Sequence, residues 1–121
     1  MPIRMKRAYD KPSRRDGIRV LVDRLWPRGL TKDQVRVAVW LKEAAPSTQL
    51  RQWFKHDPDN WPDFRKKYIR ELRQHPETLE PIRRQARDRV VTLVYSARDE
   101  QHNNAAVVKE SLDHEVKNDA D

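Results

Sequence analysis

The sequence predicts a small three-layer α/β domain with about three mainly parallel strands flanked by about five helices. Residues 18–25 and 90–95 are apolar on both faces at their centres, which is typical of strands covered on both sides. Between them, Trp61, Phe64 and Tyr68 recur at spacings of three and four residues, which places them on one buried face of a helix. Strands joined through a long helical crossover are usually parallel, so we expect these two strands to be parallel.

The first strand is predicted at residues 3–9, where apolar and basic side chains alternate as in a half-exposed strand near a sheet edge. Residues 10–17 contain Pro12 and an Asp16–Gly17 turn signal and are expected to form a loop. Eight residues are too few for an ordinary crossover helix. The residues alone therefore leave open whether the first strand is parallel to the second or forms an antiparallel hairpin with it.

Capping residues and prolines mark where the helices begin and end. Thr31 and Gln34 fit a capping box, and we expect the helix that they open to continue through Val39 and Trp40. Asparagine and serine are favoured helix caps because their side chains accept hydrogen bonds from free backbone amides. The expected helices begin near Thr31, Ser47, Asn60, Leu79 and Asn103 or Asn104.

Composition excludes several classes of protein. The 121 residues fit one domain, and we expect a single domain over 1–112 with a polar, frayed tail over 113–121. The absence of cysteine excludes disulfides, thiolate metal sites and cysteine nucleophiles. No apolar run resembles a signal peptide or approaches the roughly 20 residues of a membrane span, so we expect a cytoplasmic protein.

The charge of the chain favours an anionic partner. The net charge is +7, and residues 1–30 hold nine Lys or Arg against three Asp. A basic face of this kind attracts anions, although it is also common on ordinary solvated surfaces. Metals and cofactors are not expected, because Gly17 and Gly29 cannot form a glycine-rich phosphate loop and the histidines lack ligand spacing. The four histidines are His56, His75, His102 and His114.

The first candidate site is the segment 23–29, DRLWPRG, at the carboxyl end of a buried strand. Open α/β sheets bind ligands beyond the carboxyl ends of their strands. Arg24 and Arg28 flank a rigid turn and are suited to forked hydrogen bonds with a carboxylate or phosphate. Asp23 is expected to orient an arginine or to act as a base. In the alternative interpretation, Asp23 forms a structural ion pair with a nearby arginine and Trp26 fills the core.

The second candidate site follows the other buried strand. Ser96, Arg98 and Asn104 are hydrogen-bond donors, and a helix that starts near Asn103 would direct its free amides and positive dipole end into the same crevice. Asp99 is a further catalytic candidate. In the alternative interpretation, the asparagines only cap the helix and Asp99 only accepts hydrogen bonds within a turn.

Four segments of the chain are typical of one known family: DRLWPRG (23–29), WLKEAAPS (40–47), W-x-x-F-x-x-x-Y (61–68) and VTLVYSARDEQHNNA (91–105). Through these segments the sequence resembles the YeaO-like family, part of a broader group of bacterial domains of unknown function. The resemblance extends from about Ile3 to Leu112. It implies a three-layer α/β fold with a parallel first strand, and it implies no established activity, substrate or cofactor. Longer relatives carry cysteine in the region that matches 96–104, where this chain has Ser96, so thiol chemistry is not transferred.

These observations predict a basic crevice that binds a small phosphate- or carboxylate-bearing ligand, and they leave open whether the protein is an enzyme. The catalytic candidates are Asp23, Ser96 and Asp99, and the ligand-binding candidates are Arg24, Arg28, Arg98, Asn103 and Asn104. One alternative is a nucleic-acid-associated protein that contacts phosphates through Arg14, Arg15, Lys66 and Arg70. Another alternative is a scaffold that docks an acidic protein partner.

Overall fold

The structure, a computed structural model, describes residues 3–55 and 57–119. Over these residues the chain forms four strands and five α-helices. The strands are β1 (Ile3–Arg7), β2 (Ile18–Leu21), β3 (Val39–Trp40) and β4 (Val91–Tyr95). The helices are α1 (Lys32–Val35), α2 (Thr48–Phe54), α3 (Trp61–Gln74), α4 (Glu80–Ala86) and α5 (Asn104–Asp119).

All four strands form one parallel sheet in the order β1-β4-β2-β3. The predicted parallel pairing of the two buried strands is confirmed, with Val20 of β2 opposite Leu93 of β4. β1 pairs with the other side of β4, where Ile3 lies opposite Val91. The hairpin alternative is therefore wrong, because β4 lies between β1 and β2.

The short connection between β1 and β2 contains a 3₁₀ turn, Arg14–Asp16, that is held in place by the side chain of its last residue, Asp16. The Asp16 carboxylate accepts hydrogen bonds from the Ser13 amide at 2.9 Å and from Arg19 Nη1 at 2.7 Å. Lys6 on β1 also contacts it at 3.1 Å. Burial alone would raise the pKa of Asp16, but these hydrogen bonds and charges outweigh burial and lower it. The buried carboxylate thus holds the link against both strands that it connects.

The expected helix through Val39 and Trp40 is wrong. α1 ends after four residues because Arg36 adopts a left-handed conformation with φ of 51°. Val39 and Trp40 then pair with β2 as the edge strand β3, with Val39 opposite Val20. Their branched and aromatic side chains suit a half-buried pleated edge better than the next turn of a helix. The sheet therefore has four strands, not three.

The two faces of the sheet are covered unequally. Val20 and Leu93 pack in the larger core with Phe64 and Tyr68 of α3, all of which are buried as the helical stripe predicts. The opposite face carries a thin layer formed by α1 and its flanking loops; there Val35 packs with side chains from β2 and β4. This arrangement confirms the three-layer α/β prediction.

Two other expectations bear on the ends of elements. β2 ends at Leu21 rather than at residue 25, although the Val22 amide still donates to the Val94 carbonyl at 3.2 Å. α5 continues to Asp119, beyond the expected start of the tail at residue 113, and the side chains of 116–119 lie outside the described part. The division into a domain over 1–112 and a tail stays a prediction. Among the described helices, none is long and apolar enough to cross a membrane.

Candidate functional site

A cleft of about 400 Å³ opens at the carboxyl ends of β1, β2 and β4 and is bounded by α2, α3 and the start of α5. We call it the strand-end cleft. Of the eight side chains that the sequence singled out, six line it: Asp23, Arg24, Arg28, Ser96, Asn103 and Asn104. The two predicted motifs therefore meet across one cleft. Arg98 and Asp99 are exposed and are not part of its lining.

Asp23 joins the two motifs. Its Oδ2 accepts a hydrogen bond from the Ser96 amide at 2.8 Å, and its Oδ1 accepts one from Asn104 Nδ2 at 3.1 Å. Burial raises the pKa of Asp23, although both of these hydrogen bonds favour the charged form and oppose the rise. Within the described residues its partners are neutral donors, so the alternative in which Asp23 pairs with a nearby arginine is not what the structure shows.

Two buried polar atoms in the lining have no ordinary hydrogen-bond partner among the described residues. They are Ser96 Oγ and Arg24 Nε. Ser96 Oγ lies close to the Asp23 carboxylate but does not complete a hydrogen bond of ordinary geometry with it. Buried polar atoms in proteins are nearly always satisfied, so two such atoms in one cleft require an explanation.

The loop that follows β2 is held by indole hydrogen bonds. Trp26 Nε1 donates to the Leu30 carbonyl at 2.7 Å, and Trp40 Nε1 donates to the Asp23 carbonyl at 2.8 Å. The two indoles also pack edge to face with their centroids 5.3 Å apart. Trp26 therefore packs against the small cluster on the thin side of the sheet and also lines the cleft, while Trp40 fixes the backbone carbonyl of Asp23.

Residues at the end of β1 form hydrogen bonds with both of the loops that carry the predicted motifs. The Tyr9 hydroxyl donates to the Arg28 carbonyl at 2.9 Å, and Arg7 Nε donates to the Ala97 carbonyl at 2.9 Å. The Arg7 guanidinium also lies 5.2 Å from the centre of the Tyr9 ring. No sequence pattern places Tyr9 at the site, because its position depends on β1 lying beside β4.

The loop that follows β4 is shaped by Asp99. Its Oδ1 accepts from the amides of Gln101 and His102, and its Oδ2 lies 2.9 Å from His102 Nδ1. The backbone hydrogen bonds, first of all that from Gln101, lower the pKa of Asp99. Asn103 caps α5, since its Oδ1 accepts from the Ala106 amide at 2.8 Å. Asp99 and Asn103 thus have the structural roles of the alternative interpretation.

Helices α2 and α3 contribute cleft residues that the sequence did not indicate. Arg51 of α2 lines the cleft and is exposed. Trp61, expected to be entirely core, is half-buried and lines the cleft with its ring centroid 4.9 Å from that of His102. The sequence offers only Arg51 and the aromatic start of α3 at Trp61 as signs of a site here. These residues can be assigned to the cleft only once the packing of α2 on α3 is known.

The lining is positively charged. It holds Arg24, Arg28 and Arg51 against a single carboxylate, that of Asp23. Among the residues that the structure describes, no group of three or more histidine or carboxylate side chains is placed to hold a metal ion. His56 lies outside the described residues. The arrangement is suited to binding an anion through arginine side chains.

Comparison with known proteins places the chain among bacterial relatives. A family described as the inactive DUF488-N3 subclade matches residues 2–121. The chain is 40% identical over 112 residues to the uncharacterized protein YeaO of Escherichia coli K12, covering 93% of this chain and 97% of the relative. It is 39% identical over 110 residues to the uncharacterized protein Rv3073c of Mycobacterium tuberculosis H37Rv, covering 91% and 92% respectively. No solved structure gives a significant match.

Proposed function

The chain belongs to the YeaO-like family described as the inactive DUF488-N3 subclade, and on that premise we propose that it binds a small anionic ligand without transforming it. The resemblance to the YeaO-like family in the sequence motifs is confirmed by these relatives. The proposed ligand carries a phosphate or carboxylate group and occupies the strand-end cleft. A binding role is consistent with a family described as inactive.

The observation that carries this proposal is that two residues lining one cleft, Ser96 and Arg24, each hold a buried polar atom, Oγ and Nε, without an ordinary hydrogen-bond partner. Leaving a buried donor without an acceptor costs about 1–3 kcal/mol, and more for a charged group. A phosphate or carboxylate oxygen is an acceptor that suits both a hydroxyl and a guanidinium N–H. Binding of such a group would therefore give both donors an acceptor.

The electrostatics of the cleft favour the same ligand. Arg28 and Arg51 add two further guanidinium groups to that of Arg24, and Asn104 retains an amide N–H beyond the one that it gives to Asp23. The cleft also receives the amino-terminal end of α5, whose dipole is positive there. The Asp23 charge opposes an anion, but two hydrogen bonds on its oxygens reduce that opposition.

The contacts of the predicted catalytic candidates favour structural roles over catalysis. Ser96 Oγ lies close to the Asp23 carboxylate but forms no hydrogen bond of ordinary geometry with it, and no histidine is paired with it among the described residues, so it lacks the arrangement of an activated nucleophile. Both oxygens of Asp23 already accept hydrogen bonds, and Asp99 is engaged in its turn and with His102. These roles support binding without turnover.

Calorimetric titration with inorganic phosphate and with acetate tests the proposal. We expect Arg28→Ala to weaken binding of the anion at least about tenfold, because a hydrogen bond to a charged group contributes about 1.5–3 kcal/mol. Arg98→Ala is the matched control, since Arg98 is an exposed arginine near the same loop but outside the lining. Equal losses in the two variants, or no binding of either anion to the wild type, would reject the proposed function.

A further inference from the structure

We infer that the ligand of the strand-end cleft carries a flat apolar group, such as an aromatic ring, beside its anionic group. This inference rests on the proposed function and narrows the class of ligand. It is drawn from the apolar side of the cleft, which anion binding leaves unused. That side consists of Leu25, Pro46, Phe54, Trp61 and Phe64.

The aromatic part of this side is a continuous set of rings. Phe54 of α2 stacks on Phe64 of α3 with centroids 4.2 Å apart, and Trp61 lies 5.4 Å from Phe64. The ring of His102 extends the set to the loop after β4, 4.9 Å from Trp61. Pairs of aromatic rings in stacked or tilted arrangements at such separations are more favourable than the burial of their area alone. A planar ligand ring is thus the occupant that this side of the cleft would hold best.

The exposure of Leu25 supports an apolar ligand group independently of the aromatic rings. Its side chain is 70% exposed, yet it lies in the lining between two residues of the same motif loop. In contrast, its neighbours Arg24 and Trp26 are half-buried. An exposed leucine at a cleft gains free energy when an apolar group covers it, whereas a bare inorganic anion would leave it in water. Leu25 therefore indicates a ligand with an apolar portion.

The size and composition of the cleft limit the ligand further. A volume of about 400 Å³ lies near the lower end of the range for small-molecule sites. The arginines provide for one anionic group, and planar guanidinium groups also stack well on aromatic faces. The ligand class is therefore a compact phosphate or carboxylate that carries one aromatic ring, such as an aryl phosphate or an arylalkyl carboxylate, rather than a polyanion.

Titration of the wild-type protein with matched probes tests this inference. The probes are phenyl phosphate against inorganic phosphate, and phenylacetate against acetate. We expect each aryl probe to bind at least about tenfold more tightly than its parent anion, because the ring leaves water on binding. Equal affinities within both pairs would overturn the inference and leave the proposed function standing. Failure of all four probes to bind would instead reject the proposed function.

A variant of Leu25 tests whether the ring of the probe binds in the strand-end cleft. Leu25→Ser should lower the ratio of the affinity for phenyl phosphate to the affinity for inorganic phosphate several-fold relative to the wild type. Because Leu25 is largely exposed, its replacement should not impair folding, which circular dichroism checks. Trp53→Ser is the matched control, since Trp53 is also an exposed apolar side chain, 39% exposed, but lies in a groove between α2 and α3 outside the cleft. A loss of phenyl phosphate affinity in Trp53→Ser but not in Leu25→Ser would place the ring elsewhere and overturn the inference.

Fluorescence gives a second readout. Trp61 lines the cleft together with Trp26, so phenyl phosphate should change the intrinsic fluorescence of the wild type and of Trp53→Phe, and should change that of Trp61→Phe less, because only Trp26 then remains to report the ligand. Phenylalanine keeps an aromatic ring at position 61, which limits any effect on packing. An undiminished response in Trp61→Phe would contradict contact between the ligand ring and the aromatic side.

Discussion

The side-chain amide of Asn104 donates a hydrogen bond to Asp23 Oδ1 at 3.1 Å, across 81 positions of sequence. The other carboxylate oxygen accepts from the Ser96 amide at 2.8 Å. One side chain at the end of β2 therefore holds the backbone at the end of β4 and the first residue of α5. Asp23 is a structural link between the loops that line the strand-end cleft, and it places its charge where burial disfavours it.

The raised pKa of Asp23 makes the stability of the protein depend on pH. In the unfolded chain Asp23 loses its proton near its ordinary pKa of 3.8, while in the folded protein it keeps the proton to higher pH. Between these two values the folded state binds more protons, so Asp23 contributes less stability as the pH rises. We expect the free energy of unfolding of the wild type to fall relative to that of Asp23→Asn as the pH rises above about 4. Urea denaturation of both proteins measures this difference, and a constant difference or the opposite slope would contradict it.

Asp16 should show the opposite dependence. Its pKa is lowered because hydrogen bonds from Ser13, Lys6 and Arg19 outweigh its burial, so the unfolded state takes up a proton first as the pH falls. The stability that Asp16 contributes is present above its unfolded pKa of 3.8 and is lost as the pH falls through the folded pKa. Relative to Asp16→Asn, the wild type should therefore lose stability on acidification below about pH 4. Parallel stability curves for the two proteins in acid would show that Asp16 is not held in this way.

Gly17 should be far less tolerant of substitution than Gly29. Both have positive φ, at 63° and 80°. A Cβ at Gly17 would lie 2.1 Å from the Val90 carbonyl oxygen, whereas a Cβ at Gly29 would meet nothing within 4 Å. Gly29→Ala should cost about 1 kcal/mol from the left-handed backbone alone. Gly17→Ala should cost several times as much, because backbone must shift where β2 begins beside β4. Similar thermal midpoints for the two variants would contradict this close approach.

The nucleic-acid alternative uses basic residues outside the cleft, so it can be tested separately from anion binding in the cleft. Arg14, Arg15, Lys66 and Arg70 are all exposed, and none lines the strand-end cleft. Contacts of this kind to about six phosphates weaken by roughly 10³-fold between about 50 and 200 mM salt, because each contact releases condensed counterions. We expect only weak, salt-sensitive binding of RNA and DNA without sequence preference, measured by fluorescence anisotropy. Tight, sequence-dependent binding at physiological salt would favour the alternative over the proposed function.

The sequence was sufficient to predict the centre of the fold and the meeting of the two motifs. The apolar runs that include Val20 and Leu93 predicted buried parallel strands, and the rule that parallel strands end on one side of a sheet brought Asp23 together with Ser96 and Asn104. These predictions succeed because they need only the local hydrophobic pattern of each strand and the geometry of a parallel sheet.

The parts that sequence reasoning missed depend on tertiary packing. Val39 and Trp40 continue a helical spacing after Val35, but pairing with β2 overrides that local pattern. Tyr9 and Arg51 reach the cleft only because β1 lies beside β4 and α2 packs on α3, neither of which the sequence specifies.

Arg98 illustrates a different limit. It lies two positions beyond Ser96, in a loop whose course is set by Asp99 hydrogen bonds, and it is turned out of the cleft lining. Outside a regular strand, the direction of a side chain does not follow from its spacing along the sequence. The position of a residue in a motif was therefore not enough to assign it to the site.

The most direct measurement follows the Nε–H resonance of Arg24 in ¹⁵N-labelled protein during titration with phosphate. This donor is buried and has no partner among the described residues, so an anion in the strand-end cleft should move its signal saturably. The backbone amides of Ser96 and Asn104 should shift with the same midpoint, because both residues line the cleft. An Arg24 resonance that stays in place while only the exposed Arg14 and Lys66 respond, without saturation, would contradict anion binding in the cleft.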